Sequence, residues 1–402
     1  MPQKYKLITE GYDFDGNGSL DKRVTYKYDT KGNLVSQSSD ENADGKADSI
    51  SNFVYNTKGK RISVMDDFNA DGKSDSKSSF TYNAQGKLTS ESYDYDVDGK
   101  ADYKYIYTYN AKGNLTSEIT DSNADGKPDS KVTFTYDNKG NRISESYDYN
   151  ADGMQDFISI YTYNVYGKRI SDTTDSDADG QANYINTYTY DAKGNLTSES
   201  NDFNADGKTD SVSSFTYNAK GNLTSIIYDN NADGKPDFKT TNTYNAKGNL
   251  TSEIYDNNAD GKPELLSIYT YNAKGNLTSE ITDSNADGKP DSLIFYTYDV
   301  KGNRISKVTD SNADGKLDSI IFYTYAPKAN SAPLSINNNA LIEDVISLAN
   351  QLYSRGLNQD IVNDYQKAAL SLGVVNNVYD FSVSDEIVPQ SLQSLAINLA
   401  NI

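Results

Sequence analysis

A 27-residue period governs this chain. The pattern Asp-x-[Asp/Asn]-x-[Asp/Asn]-Gly-x-x-[Asp/Glu/Asn] occurs twelve times, each copy 27 residues after the last, from Asp13 to Asp318. Strict repetition without insertions points away from a domain built round one central core. It requires a tandem array in which each unit buries its surface against its neighbours. The period also carries chemistry. Asp stands first and Gly sixth in all twelve copies. Side-chain oxygens at alternating positions, followed by a turn-forming Gly, are what a hard cation such as Ca2+ requires.

Positions one, three, five and nine supply the candidate metal ligands. In the first four loops these are Asp13, Asp15, Asn17 and Asp21; Asp40, Asn42, Asp44 and Asp48; Asp67, Asn69, Asp71 and Asp75; Asp94, Asp96, Asp98 and Asp102. The next four carry Asp121, Asn123, Asp125 and Asp129; Asp148, Asn150, Asp152 and Asp156; Asp175, Asp177, Asp179 and Asn183; Asp202, Asn204, Asp206 and Asp210. The last four carry Asp229, Asn231, Asp233 and Asp237; Asp256, Asn258, Asp260 and Glu264; Asp283, Asn285, Asp287 and Asp291; Asp310, Asn312, Asp314 and Asp318. Up to twelve Ca2+ sites are expected.

The charge balance agrees with this reading. The chain has 58 acidic and 38 basic residues, a net charge of −20, and 37 of the 58 carboxylates occupy ligand positions. Such acidity disfavours nucleic acid and anionic membrane as partners. Cys, His and Trp are absent, which excludes disulfides, Cys/His zinc sites and His- or Cys-based catalysis. The carboxylates sit in loop register rather than as an acid/base pair, so no enzyme is expected. No stretch is long and apolar enough for a transmembrane helix, and Met1–Thr9 lacks the apolar core of a signal peptide.

Between loops the chain reads as two strands and a turn. After Asp121–Asp129, Ser130–Tyr136 is rich in β-branched and aromatic residues, Asp137–Asn141 is a turn closed by Gly140, and Arg142–Tyr147 is a second strand. The turn matches a three-residue hairpin connection with Gly in the left-handed region. Around Gly113, the expected register pairs Tyr109 with Leu115, Tyr107 with Ser117 and Tyr105 with Ile119. It puts Thr108, Thr116 and Glu118 on the other face. The fold class is therefore mostly β: a tandem array of antiparallel β-hairpins, with a parallel β-solenoid as the alternative. The residue four before each turn Gly is Tyr in every repeat, from Tyr28 to Tyr325. These rings are expected to stack as a core spine, with an exposed sugar-binding platform as the alternative.

The array begins and ends out of phase. Leu7–Tyr12 reads as a second strand without a first, and the strand ending at Tyr325 as a first strand without a second. Unpaired strands invite pairing with another chain, so self-association is expected, with head-to-tail pairing of Ser319–Tyr325 and Leu7–Tyr12 as one form and capping of the ends by the helical unit or residues 1–6 as the alternative. Residues 1–325 form the array, and 326–339 read as a linker. Residues 340–402 show helical periodicity in three segments, a small C-terminal helical domain.

Two resemblances cover residues 5–325. The stretches YTYNAKGNLTSE at 107–118 and YTYDVKGNRISK at 296–307 resemble YD (RHS) repeats. That resemblance implies a spiralling strip of hairpins able to form a shell. The loops resemble the Asp-rich calcium loops of EF-hands, dockerins and thrombospondin type 3 repeats. That resemblance implies side-chain ligation by residues such as Asp121, Asn123, Asp125 and Asp129, with the backbone carbonyl of Lys127. The chain departs from the EF-hand at loop position twelve, where Glu is replaced by Val132, Ser51, Ser78, Tyr105 or Ile294. Sites without that ligand are expected to be weak, about 10⁻⁵ to 10⁻³ M, as in extracellular modules.

The functional expectation is an extracellular or cell-surface structural protein stiffened by Ca2+: a filament subunit, surface layer or adhesin stalk. Export through a C-terminal signal in 376–402 fits its composition. A glycan-binding adhesin with a glycan or cell-surface ligand is the alternative. Ice binding by the Thr face and a toxin shell rank lower.

Overall fold

The computed structural model describes residues 5–299 and 301–327. They hold 24 strands, from β1 (Tyr5–Asp13) to β24 (Ser319–Pro327), and no helix among the described residues. Even-numbered strands are the first strands of the repeats and odd-numbered ones the second. The pairings are antiparallel throughout, within hairpins and between successive hairpins. The hairpin array is therefore the fold, and the solenoid is not. The expected helical domain at 340–402 lies outside the described residues. So does the expected linker, apart from Ala326 and Pro327, which prolong β24.

One repeat shows how local chemistry builds the array. β8 (Tyr103–Tyr109) alternates Tyr with Lys, Ile and Thr, a pattern suited to a pleated strand. At its end the Gly113 N–H donates to the Asn110 carbonyl at 2.9 Å, closing the turn. The Asn110 side-chain oxygen accepts from the N–H groups of Lys112 and Asn114 at 3.0 Å each. Gly113 has φ of 83°, which only Gly adopts without strain. β9 (Leu115–Asp121) then returns alongside β8.

The register beyond the turn differs from the expected one. Tyr109 does face Leu115, but a bulge at Thr116 shifts every later pair. Thr108 faces Ser117, Tyr107 faces Glu118, Ile106 faces Ile119 and Tyr105 faces Thr120. Because an extra residue flips the side chains that follow it, Glu118 lies on the Tyr face, while Ser117 and Ile119 join Thr108 and Ile106.

The Tyr column is not a buried spine. All twelve rings are half-buried, and the hydroxyls of six of them tie successive hairpins together. Tyr109 donates to the Leu88 carbonyl at 2.8 Å, and Tyr82, Tyr136, Tyr163, Tyr190 and Tyr298 make the same bond to the residue 21 positions earlier. Lys112 reaches the other way, its Nζ donating to the Asn138 carbonyl at 2.8 Å. The repeat is thus stitched to both neighbours by side-chain-to-backbone bonds.

The chain divides into two compact units. One comprises Lys27–Ser38 and Ala47–Asp237, and the other takes, among the described residues, Tyr5–Tyr26, Ser39–Lys46 and the strands from Phe238 to Pro327. The second unit holds a strip of buried aliphatic side chains. Ile254 pairs with Leu266 and Ile268 with Ile281; Ile281 also pairs with Leu293, and Val308 with both Phe295 and Ile320. Leu266 and Leu293 have no exposed surface. In the first unit Lys77, Lys104, Lys131, Ser79, Ser146 and Thr173 interrupt the corresponding positions between aliphatic residues such as Ile119, Ile158, Ile185 and Val212, and among its described residues only Tyr161 is a buried hydrophobic.

The second unit also contains both half-repeats, and there the expectation of unpaired ends is overturned. β1 and β24 pair with each other over eight residue pairs. Their register is that of an ordinary hairpin. Tyr325 faces Leu7, a bulge follows at Ile8, and Thr324 faces Thr9. In the same way Tyr298 faces Arg304, Ile305 bulges, and Thr297 faces Ser306 between β22 (Ser292–Tyr298) and β23 (Arg304–Asp310). The two ends are one permuted repeat whose turn has been cut, so they complete each other within one chain. A side chain at Gly16 would meet the Leu317 carbonyl at 2.0 Å, so only Gly fits where the first loop crosses the last.

Candidate metal centres

Each Asp-rich loop begins on the last residue of a second strand. In the loop after β9, Asp121 is 4% exposed. Its two oxygens accept from the N–H groups of Asp125 at 3.1 Å and Gly126 at 2.9 Å. The side-chain oxygen of Asn123 also accepts from the Asp125 N–H, at 3.0 Å. Asp125 accepts from the Lys127 N–H at 2.8 Å, and Asp129 from the Ser122 N–H at 2.6 Å. The chain therefore wraps round its first carboxylate and is clipped shut by its ninth residue. The wrap forces position four into the left-handed region. Ala or Val there has φ between 50° and 59° in eleven loops, for example Ala124 and Val97. Such a conformation costs a non-Gly residue about 1 kcal/mol or more. The carboxylate–N–H bonds offset this.

Three loops bring three carboxylates together. Asp13, Asp15 and Asp21 form one group, Asp94, Asp96 and Asp102 a second, and Asp175, Asp177 and Asp179 a third; in each, one oxygen per residue lies within 4.8 Å of the others. Two oxygens each about 2.4 Å from a shared Ca2+ lie no farther apart than this. All three loops carry Asp at position three, where the others carry Asn. The oxygen-only donor set fits Ca2+ or another hard cation. In the second group Asp102 joins Asp94 and Asp96 while Asp98 does not, and in the third Asp179 takes part.

Electrostatics in the first group reflect crowded like charges. Burial raises the Asp13 carboxyl above its ordinary range, as does the neighbouring Asp15, against the lowering effect of N–H bonds from Gly18 and Asn17. The Asn17 N–H holds Asp15 below its ordinary value. A cation would relieve the repulsion between the pair.

The missing twelfth ligand has a structural reason. Val132 lies inside β10 (Ser130–Tyr136), facing Glu118 on one side and Tyr147 on the other. That position belongs to the sheet in this repeat, whereas in an EF-hand it belongs to the loop.

One loop position escaped the sequence reading. Position two is aromatic and exposed in five loops, at Phe14, Phe68, Tyr95, Tyr149 and Phe203. The signal is an aromatic residue directly after the first Asp, a position that supplies no metal ligand.

The RHS Repeat family model matches residues 190–236. That segment spans two hairpin turns, the loop Asp202–Asp210 and all but the last residue of the next loop, so the resemblance to YD (RHS) repeats is found in the middle of the array. None of the curated proteins compared matches this chain. Among solved structures, the chain is similar to TcdB2-TccC3-Cdc42, with 17% identity and a TM-score of 0.37 over 80% of this chain and 16% of that one. It thus spans about a sixth of that chain's length. A porin-like protein from Bacteroides uniformis gives 15% identity and a TM-score of 0.25 over 69% of this chain and 96% of that one. A porin-like protein from Bacteroides vulgatus gives 10% identity and a TM-score of 0.15, over 80% and 98%. No helix among the described residues is long and apolar enough to cross a membrane.

Proposed function

We propose that this chain is a non-enzymatic structural repeat protein that works outside the cell, with Ca2+ in the Asp-rich loops stiffening the links between hairpins. The convergence of three carboxylates within a cation's span at three loops carries the reading. It is supported by the shared backbone wrap of the remaining loops and by the RHS Repeat match. In this role the residues at positions one, three, five and nine orient oxygens and the ion neutralises their mutual repulsion.

Weak sites suit an exterior rich in Ca2+. At a free concentration 100-fold above Kd, one site adds about 2.7 kcal/mol to stability. The test is thermal unfolding followed by circular dichroism in millimolar Ca2+ and in EGTA. A large rise in melting temperature with Ca2+ is expected. Identical melts in the two buffers would remove the metal from the proposal. Strand-to-strand filament growth forms no part of it, because β1 and β24 are already partners. The form proposed is a cell-surface module or stalk.

A further inference from the structure

The exposed rings at loop position two lead beyond the calcium reading and do not depend on it. Phe68, Tyr95, Tyr149 and Phe203 all belong to the unit containing Ala47–Asp237, and they are 66%, 60%, 59% and 54% exposed. In an antiparallel array every Asp-rich loop lies at the same end of the strands and every hairpin turn at the other. The four rings therefore stand in a row along one edge of this unit. Successive loops are two strands apart, about 10 Å. Phe68 and Tyr95 are one such step apart, while Tyr149 and Phe203 each follow after two steps.

The rings are held in place. Each of the four backbone N–H groups donates to the ninth-position carboxylate of its own loop at 2.7 Å. Three rings are also braced by a less exposed neighbour: Tyr95 by Tyr93 with centroids 6.2 Å apart, Tyr149 by Tyr147 at 5.8 Å and Phe203 by Tyr184 at 5.6 Å. Large, fixed, solvent-facing rings lose little conformational entropy on binding.

We infer that this row is a binding track for a linear, neutral glycan. The rings are separated by loops rich in Asp and Asn, so they form no continuous apolar patch for a protein partner to bury. A polysaccharide presents the matching pattern: sugar rings with an apolar C–H face at regular intervals, and hydroxyls between them that donate to carboxylate and amide oxygens. Without bound cations the net charge of −20 selects against an anionic polymer. In the other unit Glu41, Asn257, Ser284 and Ser311 hold the same position and Phe14 is a lone ring, so the row belongs to one unit.

Affinity electrophoresis in native gels containing hydroxyethyl cellulose, galactomannan or glycogen tests this. The full chain is run once in millimolar Ca2+ and once in EGTA. Retardation is expected in at least one of these gels. Tyr95→Ala and Tyr149→Ala each weaken it roughly two- to tenfold, the worth of one aromatic contact, whereas Tyr95→Phe and Tyr149→Phe preserve it. Tyr166→Ala is the control, since Tyr166 is 87% exposed in a hairpin turn at the opposite edge; it leaves mobility unchanged. No retardation in any gel, or an equal loss in the Tyr166 variant, overturns the assignment. Ring-dependent dimers in sedimentation without retardation also overturn it and give the row to a second copy of the chain. Retardation in EGTA supports the track even if calcium leaves the melting temperature unchanged, so the two proposals fail separately.

Discussion

Ile160 and Ile268 occupy the same place in two repeats, yet Ile160 is 50% exposed and Ile268 only 6%. Ile160 faces Thr173 and Ser144 across its strand, whereas Ile268 faces Ile281 and Ser252. The first belongs to a unit in which Tyr161 is the one buried hydrophobic among the described residues. The second belongs to a unit with an aliphatic strip that runs up to β24, which pairs with β1. One repeat pattern therefore supports two kinds of stability, because the period specifies the backbone while the non-consensus positions decide what is buried. Full burial of the first loop Asp follows the same division. Asp13, Asp283 and Asp310 have no exposed surface, and all three lie in the unit with the aliphatic strip.

The sharpest way to break this contrast is truncation at matched positions. Leu266→Ala removes a fully buried side chain and is expected to cost about 2–5 kcal/mol in urea unfolding. Ile160→Ala, half-exposed, is expected to cost about 1 kcal/mol or less. Equal losses would mean that the aliphatic strip contributes nothing particular.

A second comparison uses the loops. Asp283→Ala strips the partner from the Asp287 and Gly288 N–H groups at a fully buried site, at a cost of about 1–3 kcal/mol. Asp229→Ala does the same at a half-buried site, where water replaces the carboxylate, and its effect on the melting temperature should be smaller. Metal binding adds a further contrast. Tb3+ luminescence excited through Tyr should report the loop with Asp94, Tyr95 and Asp96 strongly, and Asp96→Asn should weaken that signal. An unchanged titration would show that the third carboxylate plays no part.

Alkaline pH distinguishes the Tyr–Glu contacts. Hydrogen bonding to Glu91, then burial, pushes Tyr93 up to about 12, and burial, then the nearby Glu253 and Glu280, pushes Tyr269 up to about 12. These groups hold their protons more tightly when folded than when unfolded. Their stabilisation is whole below pH ~10 and is lost as pH rises toward ~12. Phenolate absorbance should rise together with the loss of β-sheet signal, and independent titration well before unfolding would contradict the packing. The smallest expected effect is Tyr109→Phe, which deletes one stitch to Leu88 and should cost about 1 kcal/mol.

Much of the fold was legible because its signals are local. Strand limits such as Ser130–Tyr136, the Gly-closed turn and the phase of the two half-repeats depend on residues within a few positions of one another. The register past Thr116 was not legible, since a bulge is chosen by what lies on the partner strand as well as by the turn. Aromatic columns usually form core, so the pattern alone points to a buried Tyr spine. Its bond to a carbonyl 21 residues back depends on how neighbouring hairpins lie side by side. At the candidate metal sites, the ligand columns were visible from spacing, but which carboxylates converge was not. Asp98 and Asp179 hold the same loop position, and only Asp179 joins its group.

By itself the sequence determined the repeating hairpin, the Asp-rich link between hairpins and the missing half-repeat at each end, because each is written in short-range periodicity and turn chemistry. The tertiary structure decided that the two halves pair with each other, and that one unit buries an aliphatic strip while equivalent side chains such as Ile160 in the other stay half-exposed. These outcomes depend on contacts between residues up to about three hundred positions apart, and a 27-residue pattern cannot encode them.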